Sequence, residues 1–251
     1  MYLDAHAHID QYDDKQQTQV LDQLNNLPAL TIGVSMDLPS WHRTRRWSGQ
    51  SSRILPSFGI HPWRAPDYVH RLDELDPFIE DNALIGEIGL DYRFVKDETH
   101  YPAQRKVFEY FLQSVSGQHK LLNLHTSGAE ADILEYLDHY EISNPIIHWY
   151  NGPLDLIPDF LDLGCYFTIG VEIFFSERIQ TIARQIPTDR LLTETDNPSS
   201  YPWLTDRGEN GMPELIVDVY NKLAEIRDMQ AKELRDVVLN NFINLTKILN
   251  L

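Results

Sequence analysis

The chain has 251 residues, with 21 Lys and Arg against 38 Asp and Glu, a formal charge of −17, 42% apolar and 24% charged residues. These values suit a soluble globular protein with a sizeable core and count against a passive, basic nucleic-acid binder, and no run approaches the ~20 apolar residues of a membrane span. They leave room for a nuclease that brings its own divalent cations, because bound metals reverse the local field. Cys165 is the only cysteine, so no intrachain disulfide can form. The N-terminus lacks a basic segment followed by an apolar one, and a cytoplasmic location is expected.

The opening stretch Met1-Tyr2-Leu3-Asp4-Ala5-His6-Ala7-His8 reads as a strand. Residues i and i+2 share a strand face, so His6 and His8 can grip one metal ion. A helix over residues 14–27 carries Val20, Leu21, Leu24 and Leu27 and stops at Pro28; residues 30–35 form a buried strand. A helix from about Pro39 follows, then a third strand over 53–59, weakened by Pro56. Tyr68, Leu72, Leu75 and Ile79 mark a third helix, and residues 83–88 a fourth strand. Pro102 opens a helix with Val107, Phe108, Phe111, Leu112 and Val115 on one face.

The rhythm continues with strands over 121–125, 145–149, 165–169 and 190–196, separated by helices over 129–142 and 153–163 and one around Ile179, Ile182 and Ile186. A Pro/Gly/Ser/Asn-rich loop then runs to about Met212, and helices over 213–228 and 231–249 finish the chain. Eight strand–helix units without a linker predict a single domain over 1–251 folded as a (β/α)8 TIM barrel. An open doubly wound sheet is the alternative, but the Gly-rich phosphate loop of a dinucleotide fold is missing after the first strand.

Such barrels place their chemistry at the C-terminal strand ends. Of ten histidines, His6, His8, His61, His125 and His148 fall there, whereas His42, His70, His100, His119 and His139 fall in helices or connections and read as solvated surface. Glu87 ends the fourth strand and Asp196 the eighth, each after an apolar run that makes an unpaired charge costly. Core histidines or isolated salt bridges account for any one of these residues. Four histidines and two carboxylates converging from five strands have the composition of a two-metal hydrolytic centre.

The stretches Asp4-Ala5-His6-Ala7-His8, Gly59-Ile60-His61-Pro62-Trp63, Gly86-Glu87-Ile88-Gly89-Leu90-Asp91-Tyr92, Leu124-His125-Thr126, Ile147-His148 and Glu194-Thr195-Asp196-Asn197-Pro198 together resemble the TatD family of metal-dependent deoxyribonucleases, amidohydrolase-like TIM barrels. Pro213-Glu214-Leu215 and Asn241-Phe242 resemble the family's ending. The resemblance implies that His6, His8, Glu87 and Asp196 hold one divalent ion and Glu87, His125 and His148 a second, with Glu87 bridging. Zinc, manganese, nickel, iron or Mg²⁺ suits such ligands. It further implies that Asp196 accepts a proton from the attacking water and that His61 contacts a substrate phosphate or helps the leaving group. The resemblance implies DNA cleavage from the 3′ end, and single-stranded or frayed ends are the expected substrate because a site at a barrel mouth admits an end more readily than an intact duplex.

The chain departs from the family at Ser127, where many relatives have Arg, at Trp149-Tyr150-Asn151-Gly152 in place of Cys-Phe-Ser-Gly, and at Ser199-Ser200 after Pro198. These changes leave the metal set intact and alter substrate contacts. His61, Arg64, Tyr92, Arg93 and Lys96 are the substrate candidates near the mouth, and a loop with Tyr201, Trp203 and Arg207 reads equally as a cover or as an ordinary packed loop. Arg43, Arg45 and Arg46 beside Trp41 and Trp47 can track a nucleic-acid strand, but a solvated helix face with packed tryptophans is the preferred reading. Hydrolysis of another ester is a competing function. So is a nuclease subunit with protein partners, as in QatD-like members of antiphage defence assemblies.

Overall fold

The computed structural model describes residues 1–206 and 209–247; Arg207 lies outside them. In its first half, β1 (Tyr2–Ala7), α1 (Gln17–Asn26), β2 (Ala29–Gly33), α2 (Leu38–Ser48), β3 (Ile54–Pro56), α3 (Ala65–Tyr68), α4 (Asp76–Asp81), β4 (Leu84–Gly89) and α5 (Tyr101–Val115) follow one another. The second half adds β5 (Leu121–His125), α6 (Glu130–His139), β6 (Ile146–Ile147), α7 (Ile157–Asp162), β7 (Tyr166–Ile169), α8 (Glu177–Gln185) and β8 (Leu191–Thr193). After them come α9 (Ser200–Thr205), α10 (Leu215–Ile226) and α11 (Ala231–Lys247). Strand order follows chain order, every ladder is parallel, and the architecture is the expected (β/α)8 barrel.

Two ladders, β1–β3 and β4–β8, account for the regular pairing, and the barrel closes across two seams. At the first, Phe58 pairs with Ile85 just beyond β3, and the Gly86 amide donates to the Phe58 carbonyl at 2.7 Å. At the second, the Asp196 amide donates to the His6 carbonyl at 2.9 Å and the His8 amide to the Asn197 carbonyl at 2.8 Å. Backbone groups left over at this seam find side chains, as buried polar groups must. The Leu3 amide donates to the Tyr220 hydroxyl from α10, and Asn241 of α11 donates to the Leu191 carbonyl. Asn241, part of the resemblance at the chain's end, therefore seals β8 from outside.

Buried Phe58, Phe108, Phe111, Phe160 and Phe167 fill the space between strands and helices, each contributing roughly 2–3 kcal/mol by leaving water. Trp41 and Trp47 are buried too, Arg43 bonds the Tyr12 carbonyl and Asp14, and the Arg45 guanidinium lies over Trp41. This basic helix face packs its aromatics inward, as preferred above.

Several elements differ from expectation, and β3 and β8 keep only three residues of the seven expected of each. The third helix is broken into α3, a 3-10 turn and α4, because Pro66 and Pro77 start new helical segments and cannot donate to a preceding turn. β6 keeps only Ile146–Ile147 of its expected five residues; Trp149 adopts φ 40°, and its amide turns to the Thr168 hydroxyl. The loop after β8 contains α9, which begins four residues beyond Asp196.

Candidate active site

β4 delivers the central group. Glu87 is 1% exposed, and its backbone is fixed by the Glu87 amide donating to the Ser35 carbonyl at 3.1 Å. Glycines let neighbouring chains come close enough to enclose it. A Cβ on Gly59 would stand 2.4 Å from the Glu87 carbonyl oxygen, and one on Gly89, at φ 145°, only 1.9 Å from that of His125. The Gly-containing motifs on β4 and after β3 thus serve backbone approach.

The two Glu87 oxygens face different partners. Oε2 lies 3.4 Å from His6 Nε2 and 3.4 Å from His8 Nε2; Asp196 Oδ1 lies 3.7 Å and 3.3 Å from the same nitrogens. Oε1 lies 2.7 Å from His125 Nδ1, 3.3 Å from His148 Nε2 and 3.5 Å from His61 Nε2. All six residues expected at the strand ends, and His61, are therefore brought together. The other five histidines are exposed, as expected.

Outer partners fix how the rings present themselves. Asn123 donates its amide to the Ala5 carbonyl, so its Oδ1, 2.8 Å from His6 Nδ1, must accept, and His6 Nε2 faces inward with a lone pair. The Glu194 carboxylate accepts from His148 Nδ1 at 3.1 Å and turns Nε2 toward Glu87 Oε1. His61 is the reverse: its Nδ1 accepts from the Trp63 amide at 3.1 Å, so Nε2 carries the proton and donates. Glu194 was visible in the sequence only as a motif neighbour, and Asn123 left no signal beyond a polar residue inside an apolar strand.

The cluster fits a metal ion. His6 Nε2, Glu87 Oε2 and Asp196 Oδ1 are buried without a hydrogen-bond partner, a costly arrangement unless a cation satisfies them. Donors around an ion at ~2.1 Å stand roughly 3–3.5 Å apart, close to the separations of 3.3 to 3.7 Å found between the imidazole nitrogens and carboxylate oxygens here.

Charge follows the same geometry. Burial opposes ionisation of Glu87, but His61, His6 and His148 outweigh it and hold the carboxyl well below its usual range. Burial raises Asp196, so it takes a proton more readily than an ordinary aspartate. Burial lowers His61 to about 4 and keeps the ring neutral.

Above the cluster lies a cavity of about 450 Å³, open to solvent and lined by His61, Arg93, Ser127, Trp149, Asp196 and Trp203 among others. Of the candidate substrate contacts, His61 and Arg93 lie on this wall, whereas Arg64 and Tyr92 do not. Arg64 pairs with Asp37 at 3.2 Å and Asp67 at 3.0 Å. Tyr92 donates to Asp132 and accepts from Arg105. Lys96 is exposed and off the wall, and Tyr201 packs in edge and tilted contacts with Phe174 and Phe175. Trp149 and Asn151, from the stretch that departs from the family, line the cavity, and so do Phe94 and Glu172, to which sequence reasoning assigned no role.

The model of the TatD-related DNase family matches residues 3–247. The uncharacterized metal-dependent hydrolase YcfH of Escherichia coli K12 is 27% identical over 257 residues, covering 98% of this chain and 96% of the relative. The uncharacterized metal-dependent hydrolase MJ1582 of Methanocaldococcus jannaschii is 26% identical over 246 residues, covering 96% and 94%. Among solved structures, YJJV, a TatD homolog from Escherichia coli K12, superposes with a TM-score of 0.85 over 97% of each chain at 21% identity. No helix among the described residues is long and apolar enough to cross a membrane. By sequence, barrel and the metal-fitting cluster at its strand ends, the chain belongs to the TatD family of metal-dependent hydrolases.

Proposed function

We propose that the protein is a metal-dependent deoxyribonuclease that cleaves phosphodiester bonds at single-stranded or frayed DNA ends, working from the 3′ end. The observation that supports this most directly is the division of Glu87, whose Oε2 faces His6 and His8 while Oε1 faces His125 and His148. On this reading His6, His8, Glu87 and Asp196 hold one divalent ion, and Glu87, His125 and His148 a second, drawn from Zn, Mn, Ni or Mg. When bound, such ions lower the pKa of water and offset negative charge developing on phosphoryl oxygens.

The chain's own groups supply the rest. Asp196, the most open carboxylate of the cluster with its side chain 19% exposed, accepts a proton from the attacking water through the oxygen that does not face His6 and His8. His61 donates its Nε2 proton in a hydrogen bond to a phosphoryl or leaving oxygen, and stays neutral while doing so. Arg93, on the cavity wall, is the guanidinium within reach of a phosphate. A cavity of about 450 Å³ suits a nucleotide-sized group and is too small for an intact duplex, which favours chain ends.

The test is metal reconstitution with each candidate ion, read out on single-stranded DNA, 3′-blocked single-stranded DNA, duplex DNA, RNA and a simple carboxyl ester, with Glu87→Ala as control. Metal-dependent release of mononucleotides from unblocked single-stranded DNA is expected. Hydrolysis of the ester alone, or turnover that survives thorough chelation, overturns the reading.

A further inference from the structure

Four aromatic side chains form a continuous arc on the cavity wall. Trp63 meets Phe94 edge-on at 6.4 Å between ring centres, Phe94 meets Trp203 at 6.1 Å, and Trp203 meets Trp149 at 6.4 Å. All four line the cavity above Glu87. Trp63, Phe94 and Trp203 are 50%, 49% and 65% exposed, and they make up half of the six large apolar side chains exposed among the described residues. Single exposed hydrophobes are ordinary, whereas a contiguous group around a pocket marks a surface that meets a ligand.

The arc is held in place. The Trp63 indole donates to Asp91 Oδ2 at 2.6 Å, and Asp91 Oδ1 accepts from the Phe94 and Arg93 amides at 2.7 Å and 3.0 Å. Asp91 is itself clamped by Gln104 of α5, which accepts from its amide and donates to its carbonyl. Asp91 Oδ2 also lies 3.1 Å from His125 Nε2, so one carboxylate ties a ring of the metal-fitting cluster to the aromatic wall. On the far side the Trp149 indole donates to Glu172 at 2.6 Å. Both indoles are thus fixed through their edges with little rotamer freedom left to lose on binding.

Charge argues for the same kind of ligand contact. The chain carries −17 overall. Arg93 is the one Lys or Arg among the described residues lining the cavity, and it already donates to the Asn151 carbonyl. Arg64 is bound to two aspartates outside the cavity. Away from the scissile phosphate over the metal-fitting cluster, a polyanion held here meets one cationic side chain on this wall, and base faces are the part of it that the wall accommodates.

We propose that Trp63, Phe94, Trp203 and Trp149 form a stacking collar that takes the terminal bases of single-stranded DNA and sets the adjoining phosphodiester over Glu87. The inference rests on the nuclease reading and assigns its substrate contact to base faces. Stacking is tolerant of base identity, so the collar receives any sequence, while a paired base, whose faces are covered by its neighbours, does not enter.

The test uses the full chain and a short single-stranded oligonucleotide whose 3′ linkages are phosphorothioates, read by quenching of tryptophan fluorescence. It is compared with the same oligonucleotide carrying abasic sites at its two 3′-terminal positions. The wild-type protein is expected to bind the intact oligonucleotide about tenfold more tightly than the abasic one, with a shallow salt dependence. Trp203→Ala with Phe94→Ala should remove that difference, and Trp203→Phe should restore most of it. Trp203 and Phe94 are exposed side chains outside the core, so these changes leave the core untouched. Equal binding of the two oligonucleotides, no binding of either, or a difference that persists in the double variant overturns the collar. Turnover of the unmodified oligonucleotide is scored separately. Cleavage without base-dependent binding rejects the collar and leaves the nuclease; base-dependent binding without cleavage under any metal does the opposite.

Discussion

Asn123 Oδ1 lies 2.8 Å from His6 Nδ1, and this one contact decides which nitrogen of His6 faces Glu87 with a free lone pair. Asn123 can only accept there, because its Nδ2 is committed to the Ala5 carbonyl at 2.7 Å. Replacing Asn123 with Leu removes the constraint and frees both His6 tautomers. Metal affinity is expected to fall about 10- to 100-fold, as for other outer partners of metal-binding histidines. A competition titration against a chelating dye measures this, with a thermal melt to confirm folding, since the stranded Ala5 carbonyl costs about 1–3 kcal/mol. Unchanged affinity in a folded variant refutes the role given to Asn123.

His61 carries the opposite tautomer within the same cluster. The Trp63 amide occupies its Nδ1, so its Nε2 bears a proton and is a donor where its neighbours are acceptors. His61→Ala should therefore retain the wild-type metal content while turnover drops by about 10²–10³, the usual cost of losing one such donor. Elemental analysis alongside kcat separates the two roles. Metal lost in parallel with activity makes His61 a ligand.

Asp196 sits at φ 51°, a left-handed conformation that Asn also accepts with little strain. Asp196→Asn consequently changes the carboxylate and spares the turn. The expected outcome is a folded protein that keeps much of its metal and loses about 10²–10⁴ in kcat, within the range for removal of a proton acceptor. Near-normal turnover dismisses the proton-accepting role and leaves Asp196 as a ligand at most.

The barrel was legible in the sequence because buried parallel strands write themselves as apolar runs such as Leu84-Ile85 and Leu121-Leu122, and the site because several of them lead into a polar residue that an apolar interior has no other use for. That logic located Glu87, His125, His148 and Asp196 together. Strand ends were less legible: Trp149 continues an apolar run but turns out at positive φ, which no local pattern announces. The cavity wall was the least legible part. Arg64 and Tyr92 stand beside site residues in the chain, yet their partners Asp37, Asp67, Asp132 and Arg105 draw them away from the cavity. Phe94, Trp149 and Trp203 come from three separate connections, and only folding brings their rings together.

The ion-fitting cluster also sets a pH dependence for the metal-free protein. Burial opposes charge on His8, but the Glu87 carboxylate 3.4 Å away and the charge of Asp196 push its pKa from 6.5 up to about 9. His148 shifts the same way: burial opposes, and Glu194 and Glu87 prevail. A group whose folded pKa is raised contributes stability that is complete below its unfolded value and disappears as pH climbs through the folded one. Without metal, protonated His8 serves as the cation between Glu87 and Asp196, and about 2–3 kcal/mol at most is lost between pH 6.5 and 9. A bound ion requires the neutral imidazole and strengthens over the same range. Melting temperature of the chelated protein should fall from pH 6.5 to 9, that of the metal-loaded protein should not, and the gap between them should widen. His8→Gln should make the chelated curve less steep, leaving the slope that His148 contributes. A chelated wild-type protein whose stability is level across this window does not carry the proton on His8.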